Sequence, residues 1–257
     1  RANREARMES KTLRGQEILK KRTHNAKVFD LGRGAYQIVQ YPDTVHYQDE
    51  SGAWMEIDNR LDEMKNRSGA SVLRTRRNRI SVEFAKETGK APLVSLATPS
   101  GHGLAWELRG ARAGITAQTS LSPMQDNPDE DARRADLSHV ETELTYEEIL
   151  PHVDLICRIQ GTAFKDDIVL KNAQAPHEVT FDLTAQGVDP VMQEGGAMAA
   201  YASGQPDRIL FTLPAAFMRD SAGRIGEVTT RLLQEDGRNR LTLTCDPAFL
   251  ADAAFPV

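Results

Sequence analysis

Strand-length segments in which apolar and polar residues alternate recur along almost the whole chain, each closed off by Gly, Pro, Asn or Asp. Spacing of roughly 8–12 residues between such segments is what a stacked-sheet protein requires, because a strand with one apolar face must bury it against a second layer. Lys27–Leu31, Tyr36–Tyr41, Thr44–Tyr47 and Trp54–Asp58 come first, separated by Gly32-Arg33-Gly34, Pro42-Asp43 and Asp49-Glu50-Ser51-Gly52. In Arg79–Lys86 the alternation is clearest, with Ile80, Val82 and Phe84 on one face and Arg79, Ser81 and Glu83 on the other. Leu93–Thr98, Gly103–Arg109 and Ile115–Leu121 follow, then Glu141–Tyr146, Asp154–Gln160, Phe164–Leu170, Glu178–Leu183, Met198–Tyr201, Ile209–Leu213, Glu227–Gln234 and Arg240–Cys245. The pattern predicts a mainly all-β fold, a large antiparallel β-sandwich over residues 27–257. Residues 1–26 differ. Arg1–Arg22 is charged and rich in helix formers, so it is expected to be a helical arm or linker. Within the sandwich only Tyr146–Leu150 and Pro247–Ala251 have a helical option, the latter with Asp246 as its cap.

A chain of 257 residues suffices for one large β domain or two small ones. The acidic, Pro-containing stretch Gln125–Asp136 is the candidate division between subdomains. A net charge of −5 argues against a nucleic-acid partner, since phosphate binding draws on clustered Lys and Arg. The basic runs at Arg1–Arg22 and at Arg74, Arg76, Arg77 and Arg79 are read as a solvated helix and strand end. Cys157 and Cys245 are the two cysteines, compatible with a single bridge and better suited to two buried thiols. No apolar run approaches the roughly 18 residues of a membrane span, so no membrane insertion by this segment is expected. The apolar finish from Phe249 to Val257 leads us to expect that the gene product continues.

Reactive motifs are sparse. Gly-x-Ser-x-Gly, the Walker phosphate loop and the dinucleotide fingerprint are missing from the sequence. His24, His46, His102, His139, His152 and His177 are scattered, with no pair at zincin spacing, and no cofactor or metal is called for. Asp126–Asp131 is acidic but lacks the ordering of a calcium loop. Glu141, Glu143, Asp154, Asp166 and Asp167 are conceivable donors of a glycosidase carboxylate pair. No catalytic residue is assigned. Trp54 and Trp106 are the candidate ligand contacts, as sugar-stacking rings, although core packing is the commoner use of tryptophan.

One ordered set of motifs goes further. His24–Gly32, Tyr36–Tyr41, Val45-His46-Tyr47-Gln48-Asp49 and Gly52–Asn59, followed by Leu150–Leu155, Lys165–Leu170 and Phe255-Pro256-Val257, resembles the N-terminal region of large secreted or wall-associated bacterial proteins that carry DNRLRE domains and Rhs/YD repeats. The resemblance covers most of Lys27–Val257 and departs from the pattern at Cys157-Arg158, where a Tyr is usual. It implies an extracellular or cell-surface setting, other domains of the same protein as partners, and no transferable catalytic residue. The expected function is therefore a non-catalytic structural or adhesion module. The alternatives are a carbohydrate-binding module meeting surface glycans and a glycoside-hydrolase-like enzyme.

Overall fold

The structure is a computed structural model that describes residues 15–120, 140–235 and 237–257. The chain opens with β1 (Gln16–Glu17), a 3-10 turn at Leu19–Lys21, and strands β2 (Ala26–Gly32), β3 (Ala35–Gln40), β4 (His46–Gln48) and β5 (Trp54–Glu56). A meander follows: β6 (Asp58–Lys65), β7 (Ser71–Arg77), β8 (Ser81–Ala85), β9 (Val94–Ala97) and β10 (Gly103–Leu108). Next come β11 (Gln118–Ser120), β12 (Glu141–Leu150), β13 (Val153–Gln160) and β14 (Ala163–Leu170). The final third holds β15 (Glu178–Gln186), β16 (Val188–Met192), β17 (Met198–Ala202), β18 (Gln205–Leu213), β19 (Phe217–Arg219), β20 (Ile225–Glu235), β21 (Arg238–Cys245) and helix α1 (Pro247–Ala251).

One nine-stranded sheet, in the order β19-β20-β21-β15-β10-β9-β8-β7-β6, faces a four-stranded sheet, β11-β12-β13-β14. Smaller sheets β1-β2-β3, β4-β5 and β16-β17-β18 flank them. The described strand pairings are antiparallel. The all-β sandwich expected from the alternation is therefore present. The helical arm is not: its described part, residues 15–22, forms β1 and one 3-10 turn, and Arg1–Arg14 lie outside the described residues. The physical reason is pairing, because Gln16 and Glu17 find a strand partner in Asp30 and Phe29, which outweighs local helix propensity. Tyr146–Leu150 is likewise strand, held by Tyr146↔Leu155 and Leu150↔Val153 on either side of a bulge. Asp246 does cap α1, accepting from Ala248 N–H at 2.9 Å. The helix packs so tightly on β20 that a Cβ at Gly226 would lie 2.6 Å from the Phe249 ring. Gln125–Asp136, with the proposed division, the acidic loop and His139, lies outside the described residues.

Between the two large sheets, Val82, Phe84, Val94, Leu104, Trp106 and Leu183 meet Leu144, Tyr146, Leu155, Cys157 and Ile159, all buried. The alternation of β13 (Val153, Leu155, Cys157 and Ile159 inward) is the period-two pattern that sequence supplies. Phe164 joins the sheets, edge-on to Trp106 at 5.6 Å and tilted to Phe84 at 6.0 Å. Tyr146 adds a polar rivet, its hydroxyl donating to Ala85 O at 2.6 Å. Burial pushes that phenol far above the usual tyrosine range. At the other end, fully buried Asn59 donates to Val140 O at 2.7 Å and Gly161 O at 2.9 Å, and accepts from Asn78 Nδ2 at 2.7 Å. Thr142 Oγ1 donates to Asn59 O at 2.6 Å, completing a polar bolt between β6 and β12. Both cysteines are free, Cys157 in the core and Cys245 half-buried. Cys157 faces Leu144 and Asp166 across its neighbouring strands, so the bridge to Cys245 considered above does not form.

Candidate functional site

A solvent-reachable group of ionisable side chains surrounds the turn from β12 to β13. Alternation along β12 breaks after Tyr146, where Ile149 and Leu150 are both buried in succession. This forces a bulge, and Glu148 and His152 take left-handed backbone angles, φ 51° and 64°. Such angles are costly for residues with a Cβ, at about 1–3 kcal/mol each, and persist only where surroundings impose them. Here the surroundings are hydrogen bonds: Glu148 N–H donates to Asp154 Oδ1 at 2.7 Å, and His152 N–H donates to Glu148 Oε2 at 3.2 Å. Lys171, just past β14, donates to Glu148 Oε1 and lies by Asp154 Oδ1, both at 2.8 Å. Arg112 stands 4.0 Å from Glu148.

Each group is tuned by these neighbours. The Lys171 ammonium and the His152 N–H hold the Glu148 carboxyl below the usual range, while Asp154 and Glu148 together raise Lys171. Asn172 Nδ2 lies 3.2 Å from His152 Nδ1 and acts as the donor in this orientation, which leaves the ring hydrogen on Nε2. Beside the turn, a depression of about 580 Å³ is lined by Arg109, Leu150, Pro151, Gln174, Pro176 and Glu178. A held imidazole, two carboxylates and an ammonium are groups of acid–base chemistry, but Lys171 is already shared between two anions.

A second ionisable cluster is largely buried, with Glu56 at its solvent edge. Lys27 and His46, exposed by only 2% and 1%, sit under β1–β5 with Glu17, Arg22 and Glu56. Lys27 Nζ is 2.9 Å from Glu56, and Arg22 makes two bonds to Glu17, at 2.6 and 2.9 Å. His46 Nδ1 donates to Thr23 O at 2.8 Å, while its buried Nε2 finds no hydrogen-bond partner among the described residues. Burial, with Arg22 and Lys27 nearby, therefore lowers the imidazole below the usual histidine value.

The remaining residues singled out in the sequence are dispersed. Trp106 is buried against Phe164, and Trp54 is half-buried on β5, where its carbonyl accepts from Arg22 at 3.4 Å. Glu143 and Asp167 flank Arg158 on the outer face of their sheet, Glu141 is exposed, and Asp166 lies on the opposite face of β14. Asp154 alone joins the turn cluster. Part of the basic run is paired in place: Arg74 with Glu83 and Arg76 with Asp62 at 2.7 Å, while Arg77 lies 3.8 Å from Asp58, which pairs with Arg60 at 2.6 Å. Among the described residues, no three His, Cys, Asp or Glu side chains gather as metal ligands, and no helix is long and apolar enough to cross a membrane.

No protein-family model and no solved structure matches the chain. Curated relatives do. The chain is similar to the tRNA(Glu)-specific nuclease WapA of Bacillus subtilis subsp. natto (strain BEST195), 26% identical over 245 residues, or 92% of this chain and 10% of the relative. The tRNA nuclease WapA of Bacillus subtilis (strain 168) matches at the same identity and coverage, and the tRNA3(Ser)-specific nuclease WapA of Bacillus spizizenii at 25%. The chain thus spans about a tenth of the length of these relatives.

These matches correct three expectations. The relatives are named as tRNA nucleases, which replaces the assignment to the N-terminal region of DNRLRE and Rhs/YD-repeat proteins. The quoted motifs are turns and strand cores, such as the Asp49–Ala53 turn in which Asp49 Oδ1 accepts from Ser51 and Ala53 N–H, and such features specify fold rather than activity. The adhesion-module reading gives way for the same reason, together with its carbohydrate-binding and glycosidase alternatives and the associated surface-glycan partners. The exclusion of nucleic acid also falls, because the relatives are named for tRNA and a net charge of −5 does not by itself exclude a nucleic-acid partner.

Proposed function

We propose that this chain is a β-rich part of a tRNA nuclease. The observation that carries the proposal is its similarity, along 92% of its length, to proteins named for that activity. Cleavage of an RNA phosphodiester calls for a base at the attacking oxygen, an acid at the leaving oxygen and positive charge at the phosphate. The turn cluster is where this chain presents such groups to solvent, with His152, Glu148, Asp154 and Lys171 in one constellation.

The test is incubation of the full gene product with total tRNA and separation of the fragments on a denaturing gel. Discrete tRNA fragments are expected, and intact tRNA under conditions where the protein is folded would overturn the proposal. His152→Ala and Lys171→Ala proteins locate the cutting groups. A loss of about 100-fold, the ordinary contribution of a general acid or base, places them at the turn, and unchanged cleavage places them elsewhere.

A further inference from the structure

Strand β14 ends its sheet with a row of backbone groups that, among the described residues, only Val257 fills. The two-residue turn at Gly161-Thr162 makes Gln160 and Ala163 a mutually bonded pair. Alternation then directs the backbone groups of Ala163, Lys165, Asp167 and Val169 toward β13, and those of Phe164, Asp166, Ile168 and Leu170 away from it. At Leu170 the outward pair is occupied: its N–H donates to Val257 O at 2.8 Å, and Val257 N–H donates to Leu170 O at 3.0 Å. Reciprocal bonding of this kind defines an antiparallel pair, so the backbone passes Val257 heading along β14 toward Phe164.

Beyond that point the row is open. Among the described residues, no backbone group pairs with the outward N–H and C=O of Ile168, Asp166 or Phe164. Side chains tell the same story. Leu170, next to Val257, is 4% exposed, whereas Ile168 and Phe164, on the same inner face, are only half-buried, and Asp166 between them is exposed.

We propose that the free edge of β14 is a strand acceptor, filled by polypeptide joined after Val257 that adds antiparallel as a fifth strand of this sheet. The register follows from the Leu170–Val257 pair: the second residue after Val257 stands opposite Ile168, the fourth opposite Asp166 and the sixth opposite Phe164. Apolar side chains at the second and sixth positions would cover Ile168 and Phe164. A basic one at the fourth would complement Asp166. None of the three positions tolerates proline, since each must donate its N–H.

Hydrogen exchange at single-residue resolution on the full gene product tests this. The amides of Phe164, Asp166 and Ile168 are expected to exchange at least about a hundredfold more slowly than exposed backbone, as slowly as those of Lys165 and Asp167, which β13 already protects. Fast exchange at the first three with protection of the other two would overturn the proposal. A proline placed at the second residue after Val257 identifies the occupant. It should release Ile168 and Asp166 while leaving Lys165 and Asp167 protected, and protection that survives it would show that another segment covers the edge.

Discussion

The sandwich core and the N-terminal hairpins reach the same depth of burial by opposite means. Between the large sheets the inaccessible side chains are apolar, Leu144, Leu155 and Ile159 among them. Under β1–β5 the deepest positions include Lys27 and His46, surrounded by Glu17, Arg22 and Glu56. Apolar burial is non-directional, so the first region resists perturbation in proportion to the area lost. A buried ion pair contributes little net stability over an apolar pair of equal volume, yet is severely upset when one partner goes. The second region is therefore held by matching rather than by burial as such.

The largest effect should come from the apolar side. Leu155→Ala is expected to cost about 3–4 kcal/mol, read from the denaturant midpoint, since it opens a cavity at a site with no solvent access. Glu56→Ala removes the carboxylate 2.9 Å from Lys27 Nζ and should cost about 3 kcal/mol despite taking away a half-exposed side chain. The double replacement Lys27→Met with Glu56→Leu sharpens the contrast. It should return to within about 1 kcal/mol of the parent, and a double variant as unstable as the single one would mean that the charges themselves dictate the hairpin arrangement.

A third expectation concerns pH. His46 is lowered from the ordinary histidine value of 6.5, chiefly by burial, so as the pH falls through 6.5 the unfolded chain takes up a proton more readily than the folded chain. Its contribution is complete above 6.5 and is lost as the pH falls below it. Thermal melts of the parent and His46→Gln should thus converge on acidification, and parallel curves would remove histidine from the comparison. Smallest of all, Arg76→Ala breaks a well-formed but exposed pair with Asp62 and should change stability by only about 0.3 kcal/mol in the same denaturant titration.

The two regions were not equally legible in the sequence. Period-two alternation exposes apolar burial directly, and β8 and β13 could be read residue by residue. Turn chemistry was also readable: Asp49-Glu50-Ser51-Gly52-Ala53 and Asn66-Arg67-Ser68-Gly69-Ala70 build the same hydrogen-bonded turn, through Asp49 Oδ1 and Asn66 Oδ1. Buried charge has no such period. Lys27 and His46 look like any solvated residues until Glu56 and Thr23 are brought to them by strand pairing. The turn cluster falls between these cases. Its components are dispersed over Arg112, Glu148, His152, Asp154 and Lys171, but the consecutive apolar pair Ile149-Leu150 was a visible break in the alternation that marked the bulge. The exclusion of nucleic acid failed for a different reason, because it used net charge, which does not report where Lys and Arg are placed.

The Asn59 bolt bears on the order in which the molecule assembles. Its acceptors lie 81 and 102 residues along the chain, so they cannot be presented until the β6–β7 and β13–β14 hairpins have formed. A contact that closes only after the barrier is crossed hastens unfolding when lost and leaves folding nearly unchanged. Closing in that order would make Asn59 a latch on the finished sandwich, felt in how long the two sheets stay closed and not in how quickly they find each other.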